Sequence, residues 1–178
     1  MDSFITIGAL LGMAAHLEGK GVGVLDMVGM AQKGGSVWTH LRFGRTPADI
    51  AAVRVAPSSA DFILGCDLVV TASAKTLDMA RTGRTRVLAN SREVMPGEFT
   101  RRPDLVFPGQ PLLRNIARAV GADHWEAVDA SALATTLCGD SIATNLFMLG
   151  LAYQRGQVPV GAAAIERAAS ELPFHASN

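Results

Sequence analysis

Cysteine is scarce in this chain: Cys66 and Cys138 are the only two, and they form no Cys-x-x-Cys pair. That excludes a disulfide framework and gives no zinc or iron–sulfur ligand set, so two buried thiols in a reducing cytoplasm are expected. Net charge is also missing. Sixteen basic residues balance sixteen acidic ones, and charged residues make up only 18%. No general attraction to nucleic acid or an anionic membrane follows, so an anion site has to be built locally. Apolar runs are broken by Gly, Asp or Lys well short of the ~20 residues of a membrane span. Met1-Asp2-Ser3 carries no basic segment of the secretory type. GxSxG, HExxH and Walker motifs are absent, and His16, His40, His124 and His175 lack metal-ligand spacing. The acids are scattered rather than paired. A ligand-holding chain is therefore a better reading than a self-sufficient catalyst.

What is present is apolar surface. Hydrophobic residues reach 49% of 178, and the mean hydropathy is +0.26. The length suits one domain, residues 1–178, with a frayed tail at 173–178. Such a composition anticipates burial beyond the chain's own core, as in a subunit.

Along the chain, Ile5 to His16 is apolar nearly all round, with Gly8 and Gly12 one helical turn apart, and predicts a helix pressed on a sheet by its small face. Val22 to Asp26 reads as a short strand whose acid closes its carboxyl edge. Ala51–Val55, Ala60–Gly65, Thr85–Asn90 and Ala127–Asp129 read as further strands. Helices are expected from Leu68, capped by Asp67, to about Arg81, and over Pro111–Val120. Others run from Asp129 or Ala130 to Cys138, over Ser141–Gln154, and from Val160 to about Leu172. Alternation of apolar strands with helices gives an α/β fold, three-layered and Rossmann-like, whose mostly parallel sheet has helices on both faces. Its first strand and Gly-rich turn should precede Ile5, where only Met1 to Phe4 stand. The front edge reads as trimmed, and an exposed sheet edge there favours a homodimer or aggregation.

The chain is organised around Gln32-Lys33-Gly34-Gly35-Ser36-Val37-Trp38-Thr39-His40-Leu41-Arg42-Phe43-Gly44. A glycine loop leads into an alternating strand, with Trp38, His40 and Arg42 on one side and Val37, Thr39, Leu41 and Phe43 on the other. Gly29 to Arg42 resembles the signature of the γ domain of 2-oxoacid:ferredoxin oxidoreductases, a Gln-x-Gly-Gly turn before a [Ser/Thr]-His-x-Arg strand. Ala60 to Asp67, Val87 to Ser91 and Gly139 to Gly150 resemble later blocks of that family in the same order. The wording, with Gly8 to His16, is most similar to the fused indolepyruvate ferredoxin oxidoreductases.

The resemblance implies a domain that covers the active site of an oxidative decarboxylase and helps bind coenzyme A. Thiamine diphosphate and iron–sulfur clusters would belong to partner domains or subunits, and ferredoxin would be reached only through them. Carried onto this sequence, Lys33 would balance phosphate charge and Gly34 and Gly35 would bring backbone N–H groups to it. Thr39, His40 and Arg42 would position the ligand or lock the loop. Apart from the resemblance, Asn90 is a candidate contact from its place at the carboxyl end of its strand, and Asn145, on the late helix, is either a packing amide or a ligand contact. The alternatives are a non-catalytic assembly module of such a complex and a free-standing, flavodoxin-like nucleotide-binding protein.

Overall fold

The computed structural model describes residues 3–29, 36–94 and 107–172. They fall into two compact units. The first takes residues 1–29, 37–55 and 155–178; the second takes residues 30–36 and 56–154.

In the first unit, α1 (Ser3–Leu17) leads through a turn into β1 (Gly21–Val28), which pairs antiparallel with β2 (Val37–Gly44). Gly19 ends α1 at φ +70°, a left-handed angle that a side chain would strain. The expectation that Val22–Asp26 ends at the carboxyl edge of a parallel sheet is corrected here. Parallel strands need a crossover of about a dozen residues or more, and the eight residues from Gly29 to Ser36 leave room only for a hairpin. The expected small face of α1 does press on this hairpin. A β-carbon on Gly8 would lie 2.8 Å from Thr39 Cγ2, and one on Gly12 would lie 3.1 Å from Val24 Cγ2. On its other side α1 packs against α7 (Ala162–Glu171), with Ala14, Ala15, Ala164 and Ala168 buried.

The second unit holds a parallel sheet in the order β3 (Phe62–Gly65), β4 (Arg86–Asn90), β5 (Trp125–Val128). Side chains alternate across the central strand. Val87 and Ala89 join the core formed with Leu68, Ala72, Ile116 and Val120, from α2 (Leu68–Thr71) and its flank and from α4 (Gly109–Val120). Leu88 and Asn90 face the opposite layer, built from α5 (Ala130–Cys138) and α6 (Thr144–Gln154). Helices thus flank the three-stranded sheet on both faces, as an α/β Rossmann-like fold requires.

Two expected elements take other forms. Residues 51–55 are irregular rather than a strand. The helix expected from Leu68 to Arg81 is divided into α2 and α3 (Ala74–Leu77). Between them, the Ser73 hydroxyl donates to the Val70 carbonyl at 2.8 Å and accepts from Thr76 N at 3.3 Å, so it stops one helix and caps the next. The helix expected from Ser141 begins with a 3-10 turn, Ser141–Ala143, before α6. Among the described residues, no helix is long and apolar enough to cross a membrane.

Candidate functional site

Of the residues singled out in the sequence, Lys33, Gly34 and Gly35 lie outside the described residues. The others divide between the units: Thr39, His40 and Arg42 in the first, Asn90 and Asn145 in the second.

The hairpin register sorts the first group. Asp26 pairs with Thr39, Leu25 with His40 and Gly23 with Arg42, so paired residues share a face. Thr39 lies on the side that meets α1, where its hydroxyl donates to Asp26 Oδ1 at 2.6 Å. His40 and Arg42 share the other face with Trp38. Across that face runs segment 50–55: a β-carbon on Gly23 would lie 3.0 Å from Val53 and 3.2 Å from Ile50. The structure therefore brings His40 and Arg42 together and separates Thr39 from them.

His40 is buried, and its Nδ1 accepts a hydrogen bond from Val55 N at 2.9 Å. An accepting Nδ1 bears no proton, which puts the proton of the neutral ring on Nε2. His40 thus pins the end of segment 50–55. Arg54, on that segment, offers its carbonyl to Arg42 Nη2 at 3.4 Å. This is the only hydrogen bond to the Arg42 guanidinium among the described residues, and it is a long one. Among the described residues its buried Nε has no hydrogen-bond partner and no carboxylate pairs with it. A half-buried cation with unspent donors is suited to an anionic ligand. Sequence reasoning missed segment 50–55 as the support of these side chains; the signal was Gly23, opposite Arg42, which leaves room for Ile50 and Val53 to lie close.

Asn90 stands at the carboxyl end of β4, where ligands gather in open α/β sheets. Its Nδ2 donates to Cys66 O at 3.3 Å and to Ser131 Oγ at 3.1 Å. Its Oδ1 accepts from Arg92 N at 3.2 Å and Ala130 N at 3.1 Å. Two donors and two lone pairs are all that an amide has. Within the chain the Asn90 amide is thus a bracket joining the end of β3, the end of β4 and the start of α5. The α5 N-terminus is likewise occupied, since Asp129 Oδ1 accepts from Ala132 N at 2.9 Å. Asn145 is buried in the first turn of α6.

Cys66, half-buried beside this bracket, is held as the thiol. Burial, with the nearby Asp67 carboxylate, pushes its thiol up to about 12. Cys138 is exposed rather than buried, contrary to the expectation of two buried thiols, because α5 ends there at Gly139 with its last turn in solvent. Among the described residues no group of His, Cys, Asp and Glu could hold a metal ion. A groove of about 320 Å³ in the second unit is lined by Ala72, Ala74, Leu77, Asn115, Arg118 and Ala119, and contains none of the residues singled out above.

Comparison with known proteins agrees with the wording of the sequence blocks. The family described as pyruvate ferredoxin/flavodoxin oxidoreductase matches over residues 2–172. The indolepyruvate oxidoreductase subunit IorB of Archaeoglobus fulgidus is 27% identical over 173 residues, covering 94% of this chain and 78% of that protein. IorB of Pyrococcus horikoshii is 29% identical over 164 residues, covering 90% and 76%. The crystal structure of pyruvate oxidoreductase subunit PORC from Thermotoga maritima has the same fold, with a TM-score of 0.54 at 19% identity, covering 91% of this chain and 74% of that one.

Proposed function

Since the chain belongs to the pyruvate ferredoxin/flavodoxin oxidoreductase family, we propose that within its 2-oxoacid oxidoreductase it covers the active site and helps to bind coenzyme A, with an arylpyruvate such as indolepyruvate as the acid oxidised. In that reaction the 2-oxoacid loses carbon dioxide, its acyl carbon becomes bonded to the coenzyme A sulfur, and two electrons pass to ferredoxin with release of a proton. Thiamine diphosphate and iron–sulfur clusters, which carry the carbon and electron chemistry, belong to the other subunits in this reading.

The work of this chain is then electrostatic and positional. Arg42 is the observation that carries the reading: its buried Nε has no hydrogen-bond partner among the described residues, and no carboxylate there neutralises its charge. Its planar fork is suited to two oxygens of one phosphate. His40 holds Val55 and, through it, the segment that carries Arg54 O, so it acts as a positioning residue. Lys33 supplies further positive charge, and Gly34 and Gly35 admit a close backbone approach.

A charge-assisted hydrogen bond contributes about 1.5–3 kcal/mol, or roughly 10- to 150-fold in affinity. In the complex assembled with its other subunits, Arg42→Ala should raise the KM for coenzyme A by that factor while the KM for indolepyruvate stays unchanged. Arg42→Lys, which keeps the charge but not the fork, should recover only part of the loss. An unchanged coenzyme A KM in an assembled complex overturns the proposal. Failure of Arg42→Ala to assemble, with Arg42→Lys assembled and normal for coenzyme A, would favour the assembly-module reading instead.

A further inference from the structure

We propose that Arg54 is the second cation of the Arg42 site, and that the two arginines together select the ribose phosphomonoester of coenzyme A rather than its diphosphate; this rests on coenzyme A being the ligand there. The Arg54 carbonyl accepts from Arg42 Nη2 at 3.4 Å, so the two residues adjoin although twelve positions separate them. The backbone that carries Arg54 is held on both sides. Val55 N donates to His40 Nδ1 at 2.9 Å, and a β-carbon on Gly23 of the hairpin would lie 3.0 Å from Val53. Arg54 itself is exposed, and among the described residues its guanidinium has no hydrogen bond and no ion pair.

Nearby acids do not offset this charge. From residue 37 to residue 55 the cations are Arg42, Arg45 and Arg54, and Asp49 is the only acid. Asp49 Oδ2 accepts from Thr46 N at 3.0 Å, which turns it into its own loop. Asp26, across the hairpin, lies on the face opposite Arg42 and accepts from the Thr39 hydroxyl at 2.6 Å. A chain with no net charge has thus concentrated positive charge in this stretch.

Charge and shape then select the phosphate. A phosphomonoester carries about −1.5 to −2 and presents three terminal oxygens. Each phosphate of the diphosphate is esterified on both sides and carries a single charge. Two oxygens satisfy the Arg42 fork, and only the monoester keeps a third oxygen and further charge for Arg54. Neighbouring guanidinium charges repel, and an anion with its charge gathered on one phosphorus offsets that repulsion best.

The test is calorimetric titration of the complex assembled with its other subunits, using coenzyme A and dephospho-coenzyme A, which keeps the diphosphate and lacks the monoester. The wild type should bind coenzyme A about 10- to 150-fold more tightly, the value of a charge-assisted hydrogen bond. Arg54→Ala should weaken coenzyme A about 3- to 10-fold, between an exposed ion pair and a charge-assisted bond, and leave dephospho-coenzyme A unchanged. Arg54→Gln, which keeps most of the side chain without its charge, should behave alike. No loss, or an equal loss for both ligands, overturns the proposal. An equal selective loss in Arg45→Ala would assign the effect to the general charge of the stretch and also overturn it. If Arg42→Ala leaves both affinities unmoved, the coenzyme A reading itself fails; if Arg42→Ala weakens coenzyme A and Arg54→Ala does not, only the role of Arg54 fails.

Discussion

Replacing Asn90 by alanine removes four hydrogen bonds at once, and their environments decide the cost. Ala130 N is buried and has the Asn90 oxygen as its partner, so leaving it unsatisfied costs about 1–3 kcal/mol. The Ser131 oxygen loses the Asn90 donor but keeps the Thr144 hydroxyl, which already donates to it at 3.5 Å. Arg92 is exposed and its N–H can find water, whereas Cys66 O is left beside the space vacated by the amide. The sum, with the small cavity, comes to about 2–4 kcal/mol. One tryptophan lies in each unit, Trp38 in the first and Trp125 in the second. In a Trp38→Phe background, Trp125 fluorescence during urea unfolding therefore reports on the unit that contains Asn90. Asn90→Ala should shift that transition by the stated amount, while Arg86→Ala, exposed at the other end of β4, should leave it nearly unmoved. A loss below about 1 kcal/mol would refute the bracket, since it would mean that these bonds are replaced by water at little cost.

Other outcomes follow from titratable groups. The Lys20 ammonium, and then Gly161 N, hydrogen-bond the Glu18 carboxylate and hold its pKa below the usual 4.5. A depressed carboxylate stabilises the fold above its unfolded pKa and loses that contribution as pH falls through the folded value. The stability of the first unit, followed by Trp38 fluorescence in a Trp125→Phe background, should therefore fall below about pH 4.5, and Glu18→Gln should flatten that acid limb. An identical limb in Glu18→Gln would contradict the assignment. For the thiols, Cys138 should react with iodoacetamide at pH 8 in the native chain and Cys66 only after denaturation, because its thiol is pushed up to about 12. Mass spectrometry of the labelled chain reads this directly; prompt labelling of native Cys66 would show that the burial is wrong.

The parallel sheet was legible because its signals are local. Apolar strands, Asp67 and Asp129 at N-caps, and Gly139 at a left-handed terminus are each written within a few residues. The hairpin of β1 and β2 was misplaced because Asp26 was read as a strand end, although the short link to β2 already pointed to antiparallel pairing. Site residues were harder. That Trp38, His40 and Arg42 share a face follows from period-two geometry, but the Val55 N partner of His40 is fifteen residues away in irregular chain. Asn90 shows the same limit: its position at the carboxyl edge could be read, but the filling of its amide by residues 24 and 41 positions away could not.

Glu18 Oε1 accepts from Gly161 N at 2.7 Å and Lys20 donates to Pro159 O at 2.6 Å, so the turn after α1 is clasped to a segment about 140 positions later. The first unit is consequently stitched from three separate stretches of chain, whereas residues 56–154 run uninterrupted through the second. The second unit therefore needs nothing from residues 155–178 to close its core, whereas the opening helix of the first packs against the helix that they contain. A chain ending at Gln154 should therefore keep a protease-resistant sheet unit behind an amino-terminal segment that is cleavable.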